Sequence, residues 1–478
     1  MKRLPTATPF PAPRGASPPE TMKPCYLLLL LTACCLPCPG TEKEVLPPLQ
    51  VPVHTSPGTA ANAGAKVSPA QLHELADRAE QELRGNILPF WLNNARDRTR
   101  GGFHSFIGED MSVRDDQPRG ALLTSRILWT FSAAYRHYPQ PEYLEMARWA
   151  YRDLMEHFVD QQSGGLFWSV SADGTPVDAH KQVYGQVFGI YALTEYYRIT
   201  QEQGALDEAI AIYRLLDKHA FDAKHGGYYD AFDREWRRGS SGQANVLGEA
   251  PKSQNSHIHI LEGFTNLLRV WPDAGLKQKQ RDLIELMLTR IIDPRTHHLV
   301  LFMKEDWTPL GDEISYGHDI ELSWLLVEAA EVLGDPAILA RAKTEAVAIA
   351  LATNAEGVDT DGGVYNEGNP KGPTNTNKEW WEQAEATVGF LNAYQLTEDA
   401  KYFTWTMRSW AFIQDKFVDR KNGDWHNTLL RDGTPILVLK GRFGRSMPNA
   451  KQSIWKCPYH NSRACLEVID RVKELTGE

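Results

Sequence analysis

Cysteine is scarce in the body of this 478-residue chain. Four of the six cysteines lie between residues 25 and 38, and only Cys457 and Cys465 lie in the remainder. A structural zinc site needs about four spaced Cys or His ligands. The cysteine pattern therefore argues against such a site, and it leaves open whether Cys457 and Cys465 pair.

Long apolar runs and clustered positive charge are also missing. The apolar stretch from Tyr26 to Leu31 is too short to span a bilayer as a helix. The formal net charge is −10, and no basic stripe is present for nucleic acid. Aromatic residues, by contrast, are plentiful: 14 Trp and 17 Tyr suit stacking on planar or apolar ligand faces.

The N-terminus carries the features of an export signal. We predict that residues 1–33 are an upstream extension and signal peptide, with the functional start at Met22 and Lys23 as the charged n-region. Leu31-Thr32-Ala33-Cys34 is typical of a lipidation site, so we expect an exported periplasmic or cell-surface lipoprotein anchored at Cys34. A plain secretory signal cleaved near Gly40 is the alternative.

A tether and then a folded domain follow. Residues 34–67 are rich in Pro, Gly and Ala without apolar periodicity, which predicts a flexible tether. The folded domain is predicted to span 68–478. Ser68 is a good N-cap, Pro69 suits the first helical position and Gln71 completes a capping box.

An internal repeat organises this domain. Short strand-like pieces recur at nearly constant spacing, with one gap twice as long as the others. They begin at Gly101-Gly102-Phe103, Gly164-Gly165-Leu166, Gly226-Gly227-Tyr228, Gly362-Gly363-Val364 and Gly423-Asp424-Trp425. His298-Leu299-Val300 stands near the middle of the long gap, which makes six copies.

Each copy has the pattern of a hairpin followed by two helices. A second turn, as in Asp173-Gly174-Thr175-Pro176, indicates the other end of a hairpin, and 124–137 and 141–159 are helical stretches between copies. One such unit cannot bury its apolar faces alone, so six must stack and close. The predicted fold is all-α, an (α/α)6 barrel with short β-hairpins between helix pairs.

The first turn of the helix after each hairpin should point into the central cleft from the same end. Polar or aromatic clusters do recur there. They are Arg126; Lys181 and Tyr184; His257, His259 and Glu262; His318 and Glu321; Trp380, Trp381 and Glu385; and Trp455 and His460. Six clusters in phase with the repeat predict one composite site.

Two of these clusters place a histidine three residues before a glutamate. On a helix the residues of each pair, His259 with Glu262 and His318 with Glu321, share a face, so the carboxylate can orient the imidazole. A surface ion pair or a satisfied core histidine is the alternative for either one. His257 and His259 as metal ligands are disfavoured, because residues two apart on a helix diverge, and no metal is expected.

His460 follows Pro458 and precedes a predicted amphipathic helix from Arg463 to Leu475. Helix N-termini disfavour a protonated imidazole, so His460 should be neutral and able to act as a general base; merely capping the helix is the alternative. The nearby tryptophans could be core, but their position beside charged clusters favours the walls of a sugar site.

At these residues the chain resembles the cellobiose 2-epimerases of the N-acylglucosamine 2-epimerase superfamily, from about residue 70 to the C-terminus. The motifs that carry the resemblance are 315–321 (SYGHDIE), 379–385 (EWWEQAE), 455–463 (WKCPYHNSR) and 126–131 (RILWTF). The resemblance implies an (α/α)6 barrel and reversible epimerisation at C2 of the reducing-end sugar of β-1,4-linked disaccharides, without cofactor.

The resemblance also implies residue roles. His318 and His460 would be catalytic, supported by Glu321 and His259, while Arg126 contacts the reacting sugar. The resemblance gives Trp455 and either Trp380 or Trp381 as stacking walls. From their place in the six clusters, and not from the resemblance, Tyr184, His257, Glu262 and Glu385 are also expected to contact substrate. The chain departs from the family in its export signal and in the basic segment 440–451, which puts the far sugar subsite in question.

Other functions remain open from the sequence. They are a monosaccharide or N-acylglucosamine 2-epimerase, an aldose–ketose isomerase, a glycoside hydrolase with paired carboxylates, and a non-catalytic sugar-binding lipoprotein. Besides the disaccharide and the lipid anchor no partner is expected, nucleic acid included, and the protein is expected to be a monomer.

Overall fold

The structure is a computed structural model that describes residues 66–238, 250–440 and 446–478. The predicted signal peptide and nearly all of the predicted tether lie outside these residues. The capping box predicted at the start of the domain is present. The hydroxyl of Ser68 accepts from the backbone N–H of Gln71, whose side chain accepts in return, and Pro69 opens the helix.

The helices form two layers. The inner layer consists of α3 (Ala121–His137), α5 (Val183–Thr200), α7 (Gln254–Val270), α9 (Tyr316–Leu333), α11 (Trp380–Thr397) and α13 (Tyr459–Thr476). The outer layer consists of α1 (Pro69–Glu82) continued by α2 (Leu88–Asn94), α4 (Pro141–Asp153), α6 (Gln203–Leu215), α8 (Ala274–Leu286), α10 (Pro336–Glu356) and α12 (Ala400–Phe412). Inner helices are buried all round, as α3 is from Ala121 to Ala134, which is typical of helices inside a large core.

The inner helices close into a ring. Each packs on the next, and α13 packs on both α11 and α3. Each outer helix packs on the inner helix of its own repeat, except that α1 at the N-terminus completes the last repeat by packing on α13. The predicted (α/α)6 barrel is therefore confirmed.

The outer helices end in a shared way that the sequence did not reveal. A π-helical turn follows the outer helix in most repeats of the described chain, and α10 has none. These turns are Leu83–Ile87, Leu154–Phe158, Leu216–Ala220, Met287–Ile291 and Ile413–Phe417. Helix propensity carries no signal for the wider turn, since it depends on one extra residue accommodated by packing.

Short strands join the layers at one end of the barrel. They are β1 (Phe106–Gly108), β2 (Val113–Arg114), β3 (Arg119–Gly120), β4 (Ser169–Val170), β5 (Pro176–Asp178), β6 (Lys181–Gln182), β7 (Ala231–Phe232), β8 (Lys252–Ser253), β9 (Phe302–Met303), β10 (Ile314–Ser315), β11 (Glu367–Asn369), β12 (Gly372–Asn375), β13 (Lys378–Glu379), β14 (Thr428–Leu429), β15 (Val438–Lys440), β16 (Ser446–Pro448) and β17 (Ala450–Gln452).

The strands link each repeat to the next. The strand that leads into an inner helix pairs antiparallel with the first hairpin strand of the following repeat, as β3 does with β4. β6 with β7, β8 with β9, β10 with β11, and β13 with β14 repeat this. β17 pairs with β1, with Ile107 opposite Gln452, so the strands also close the ring.

The glycine pieces of the sequence are a recurrent loop. In each repeat an isolated bridge joins the residue after an outer helix to the residue after the glycine pair, as Val159 does with Leu166. In the fourth copy the same bridge joins Ile292 to Leu299, and His297 takes the left-handed conformation (φ 61°) that Gly164 (φ 72°) has in the second. The copy without glycine is therefore confirmed.

A second recurrent contact ties four of the loops to their inner helices. The fourth residue of the helix accepts a hydrogen bond from the backbone N–H just after the glycine pair. The pairs are Gln186 with Leu166 (2.7 Å), His257 with Tyr228 (3.0 Å), Asp319 with Leu299 (2.8 Å) and Gln383 with Val364 (2.7 Å). We call these four side chains the tether residues.

Fully buried lysines complete the hairpin end. Lys181 donates to Asp160 (3.0 Å), Lys252 to Asp222 (2.8 Å) and Lys378 to Asp359 (3.2 Å), each lysine lying two residues before an inner helix. Lys181, predicted to lie in the cleft cluster, therefore belongs to the structural core instead. A buried charge is tolerated only with such a partner.

The opposite end of the barrel holds a polar cavity of about 320 Å³ between the C-terminal parts of the inner helices. Arg136, Glu195, Arg471 and Glu467 are among its lining residues. Cys457 and Cys465 are buried and unpaired. Within the described ranges, no helix combines the length and apolar character that a membrane crossing requires.

Candidate active site

The site is a ring of buried side chains at one level of the inner helices, near the hairpin end. One residue of each inner helix forms it: the sixth residue of α3, α5, α7, α9 and α11, and the fifth residue of α13. These residues are Arg126, Phe188, His259, Glu321, Glu385 and Arg463. Pro458 is the N-cap of α13. Tyr184, His318, Trp381 and His460 lie in the first turns above the ring.

His259 is oriented by a carboxylate on its own helix, as predicted. Its Nδ1 lies 2.9 Å from Glu262 Oε2, and both side chains are buried. Glu262 Oε1 accepts from the hydroxyl of Tyr459 and from Arg463. Glu262 therefore receives three donors.

His460 is oriented by a carboxylate from a different repeat. Its Nδ1 lies 2.7 Å from Glu385 Oε1, which also accepts from Arg463 Nη2 at 2.8 Å. The other oxygen of Glu385 accepts from the indole N–H of Trp324 at 3.0 Å. A carboxylate facing only donors requires Nδ1 of His460 to carry hydrogen, so the lone pair of the neutral ring is on Nε2.

Arg463 connects the carboxylates. It is 1% exposed and contacts Glu262, Glu321 (2.6 Å) and Glu385 (2.8 Å) from α7, α9 and α11. Sequence reasoning missed it. The available signal was its position three residues after His460, which places both on one face of α13.

The predicted support of His318 by Glu321 is wrong. Nδ1 of His318 instead lies 2.7 Å from the hydroxyl of Ser315, and Glu321 turns toward Arg463. The guanidinium attracts a buried carboxyl group more strongly than a neutral imidazole does. Glu321 Oε1 is 3.9 Å from Nδ1 of His460, beyond hydrogen-bond distance.

The prediction that His257 contacts substrate is also wrong. His257 is one of the tether residues, and its Nδ1 contacts the carbonyl of Ser253 at 2.7 Å while Nε2 accepts from Tyr228. Both ring nitrogens are occupied by backbone. His257 and His259 diverge on α7, as expected for residues two apart.

Arg126 is a buried cation surrounded by neutral groups. It donates to the hydroxyl of Tyr184 (2.6 Å) and toward the carbonyl of Trp455 (3.4 Å), and it lies 4.3 Å from the ring centroid of Phe188. Among the described residues no carboxylate bonds to it. Its charge is therefore free to stabilise an oxygen anion of a ligand.

Aromatic side chains line the cleft. Trp381 is partly exposed and lies 4.6 Å from His318 and 5.7 Å from His460 between ring centroids, whereas Trp380 is buried. Of the two tryptophans, Trp381 is the one that lies beside both histidines, whereas Trp380 lies near His460 at 6.1 Å between ring centroids. The stacking role of either one stays a prediction. A side chain at Gly317 would put its Cβ 2.6 Å from Trp381.

Trp455 forms a separate wall. It is 39% exposed and lies near Trp168 (5.9 Å) and Tyr184 (6.2 Å) between ring centroids. An exposed indole supported by two further rings suits the apolar face of a pyranose.

Burial sets the protonation of the histidines. It lowers the pKa of His318 to about 3, with His259 adding to the effect, and it lowers the pKa of His460 well below 6.5, with Arg126 and Arg463 adding to it. Burial, more than its position at a helix N-terminus, is thus the reason that His460 is neutral.

Three clusters in the described residues have metal-like spacing, and each already holds a cationic side chain. Arg100 contacts Asp97 and Asp115, Lys451 contacts Glu109 and Asp419, and Arg463 contacts Glu321 and Glu385. These groups supply the positive charge that a metal ion would bring.

Comparison with known proteins gives a consistent family. Residues 101–444 match the sequence model of N-acylglucosamine 2-epimerase (GlcNAc 2-epimerase). The chain is 39% identical to a cellobiose 2-epimerase of Bacteroides fragilis over 83% of this chain and 98% of that one. It is 36% identical to a cellobiose 2-epimerase of Dictyoglomus turgidum over 82% and 97%.

A solved structure agrees with these relatives. The cellobiose 2-epimerase of Bacillus thermoamylovorans B4167 superposes with a TM-score of 0.76 at 37% sequence identity, covering 84% of this chain and all of that one. The similarity therefore extends along nearly the whole length of the barrel.

Proposed function

The chain belongs to the N-acylglucosamine 2-epimerase family, and on that basis we propose that it reversibly epimerises C2 of the reducing-end sugar of β-1,4-linked disaccharides. It is a carbohydrate epimerase. Cellobiose would give glucosyl-mannose, and mannobiose would give mannosyl-glucose. The relatives that support this assignment are named cellobiose 2-epimerase.

The chemistry requires two proton transfers at one carbon. After ring opening, a base removes the proton α to the C1 carbonyl, and an acid returns a proton to the opposite face of the enediolate. The observation that carries our assignment is that His318 and His460 both contact Trp381 while each leaves Nε2 without a hydrogen-bond partner among the described residues.

His460 suits removal of the proton. Its Nδ1 hydrogen is fixed on Glu385, so Nε2 of the neutral ring carries a lone pair, and the same carboxylate stabilises the imidazolium that forms. Its lowered pKa keeps it neutral before it accepts.

His318 suits both accepting and donating. The hydroxyl of Ser315 can donate to Nδ1 or accept from it, so either tautomer of His318 is satisfied. When neutral, His318 accepts a proton at Nε2 while its Nδ1–H is donated to Ser315, and as the resulting imidazolium it gives a proton back from Nε2 in the other direction. The two histidines differ in that only His460 has its Nδ1 fixed on a carboxylate.

Arg126 supports the intermediate. The enediolate carries negative charge on oxygen, and Arg126 has no carboxylate bonded to it within the described chain. A preorganised cation at such an oxygen is worth several kcal/mol in a buried site, on the order of 3 kcal/mol for one donor. Trp381 and Trp455 would stack on the sugar rings.

Incubation with cellobiose tests the proposal. The epimer glucosyl-mannose should accumulate to an equilibrium mixture, detected by carbohydrate chromatography, with mannobiose as a second substrate. Release of glucose would indicate a hydrolase, and unchanged sugar would indicate a binding protein; either result contradicts the proposal. Parallel incubations with mannose, N-acetylglucosamine and fructose test the monosaccharide epimerase and isomerase alternatives.

For localisation we propose an exported lipoprotein anchored at Cys34. The support is the sequence alone, since this segment lies outside the described residues. Cys34→Ala should move the protein from the membrane fraction to the soluble fraction, and Cys35→Ala is the matched control. If the wild-type protein and the Cys34→Ala variant are both found in the soluble fraction, lipidation at Cys34 is contradicted.

A further inference from the structure

We propose that Glu321 carries a proton in the working enzyme, so that Arg463 faces two carboxylates and one neutral carboxylic acid. This inference deepens the proposed function and rests on it only where turnover is measured. It replaces the expected role of Glu321 as the carboxylate that orients His318.

The hydrogen-bond inventory separates the three acids. Glu262 receives donors from His259, Tyr459 and Arg463, and Glu385 receives donors from His460, Arg463 and Trp324. The donors at both oxygens of each group favour the ionised form. Against the opposing effect of burial, Arg463 lowers the pKa of Glu262 to about 2. Burial raises the pKa of Glu385, so its ionised form depends on the Arg463 and Trp324 donors at its two oxygens.

Glu321 has a different environment. One oxygen accepts from Arg463, and the other, Oε2, is buried without a partner among the described residues. A buried, unsatisfied oxygen is costly when it carries charge, whereas a protonated acid loses much of that penalty. The environment of Glu321 thus fits the neutral form.

Neighbouring charge points the same way. Glu321 is faced by Glu262 of α7, Glu385 of α11 and Arg463 of α13, and oxygens of Glu321 and Glu385 lie within 4.8 Å of each other. His460 and Tyr459 of α13 and Tyr184 of α5 complete its charged or titratable surroundings. Like charges this close cannot all ionise in a buried site. Burial, with Glu385 adding to it, raises the pKa of Glu321 to about 8.

A neutral Glu321 would give the cluster a net charge that suits proton transfer by His460. With Glu321 protonated, the charges of Glu262, Glu385 and Arg463 leave one net negative charge beside His460. That charge is balanced when His460 takes the substrate proton. A third ionised carboxylate would leave two net negative charges, which would hold the imidazolium too firmly for the proton to return.

Infrared difference spectroscopy tests this without turnover. The wild-type protein at pH 6.5 should show the carbonyl stretch of a buried carboxylic acid, separate from carboxylate bands, and the band should disappear as pH rises through about 8. Because other buried acids such as Glu382 also have a raised pKa, the band of Glu321 is the one present in the wild-type protein and missing in E321Q. E385Q should keep this band with a lower pH midpoint, since a like charge is removed. If the wild-type and E321Q spectra do not differ in this region, the proposal is overturned even if epimerisation is demonstrated.

Kinetics give a second, independent readout. Gln mimics a neutral acid at position 321 but places an amide N–H₂ against donors at position 385. E321Q should therefore lower kcat less than about tenfold, whereas E385Q should lower it by at least ~10², as expected for a lost positioning carboxylate. A larger loss in E321Q than in E385Q contradicts the proposal, and no turnover in the wild-type protein contradicts only the proposed function.

Discussion

At the scale of single residues, the chemistry depends on which ring nitrogen each histidine leaves unbound. His460 is held in one tautomer by Glu385, and His318 is free to take either beside Ser315. A histidine whose pKa is strongly lowered can accept a proton only if a nearby negative charge stabilises the imidazolium that forms. Glu385, and the enediolate itself, provide that charge.

We predict that His318→Asn and His460→Asn each remove at least the ~10² to 10⁴ in kcat attributed to a positioned acid or base. The double variant should be little worse than either single variant, because the two groups act on one intermediate. Steady-state kinetics with cellobiose measure this. Wild-type turnover by His460→Asn would remove that residue from the mechanism.

A related prediction concerns solvent isotope. In deuterated water the epimer should carry deuterium at C2, because an imidazolium that exchanges before it returns its proton delivers deuterium. Nuclear magnetic resonance of the isolated product measures the label. Product from unlabelled cellobiose that contains only protium at C2 would argue against an exchanging acid.

Sequence reasoning recovered the identities of the site residues better than their partners. His259 with Glu262 was correct because both lie on one helix, where spacing fixes proximity. His460 with Glu385 and Arg463 with three acids join different repeats, and no spacing rule reaches across repeats. His318 and Glu321 have suitable spacing, yet Glu321 bonds to Arg463 of α13 instead.

At the scale of elements, one contact recurs with different side chains. The tether residues are Gln in α5 and α11, His in α7 and Asp in α9. Gln383 bonds Val364 and also the carbonyl of Glu379 four residues back, as His257 bonds Tyr228 and the carbonyl of Ser253. The position thus selects for two opposed hydrogen-bonding atoms rather than for one residue type.

His257→Gln should accordingly retain the stability and the KM of the wild-type protein. His257→Ala should lower the free energy of unfolding by about 1–3 kcal/mol for each backbone group left unpaired, with KM little changed. Urea unfolding and cellobiose kinetics measure the two effects. A rise in KM for His257→Gln with unchanged stability would restore the substrate-contact interpretation.

The same residue gives a pH dependence. Burial lowers the pKa of His257 to about 4, below the 6.5 of an unfolded histidine. Between these values the unfolded chain binds more protons, so stability falls as pH falls from about 6.5 to 4. His257→Gln should lose less in Tm than the wild-type protein between pH 7 and pH 4.5, and an equal loss would contradict the assignment.

The six hairpins and helix pairs were predictable because glycine pairs and turn residues mark the loops between them at nearly constant spacing. The π-helical turns were not, since they leave the hydrophobic periodicity of the outer helices nearly unchanged. The inner helices were placed correctly from the order of the repeat, although burial on all sides removes the amphipathic pattern that usually marks a helix.

At the scale of the whole molecule, the first and last helices depend on each other. α1 buries Leu72, Leu75 and Ala79, and it packs on α13, which carries His460 and Arg463. The outer layer is therefore complete only when α1 has packed on α13.

We predict that removing residues 1–67 leaves kcat/KM and Tm close to those of the full chain, because Ser68 caps the first barrel helix. Removing residues 1–87 should abolish activity and cooperative unfolding, since it exposes the face of α13 that α1 covers. Circular dichroism melts and cellobiose assays compare the two. A stable, active product of the longer deletion would show that α1 is dispensable for closure.

The position where α1 begins determines at which end of the barrel the preceding chain enters. Its early residue His73 lies 3.1 Å from Glu478 at the end of α13, while Glu82 at its other end reaches Trp425 of the last hairpin (2.8 Å). The chain ahead of Ser68 therefore joins the barrel at the end opposite His318 and Trp455. An attachment made at Ser68 would therefore lie at the end of the barrel away from the cleft, and it would leave the entry of a disaccharide unobstructed.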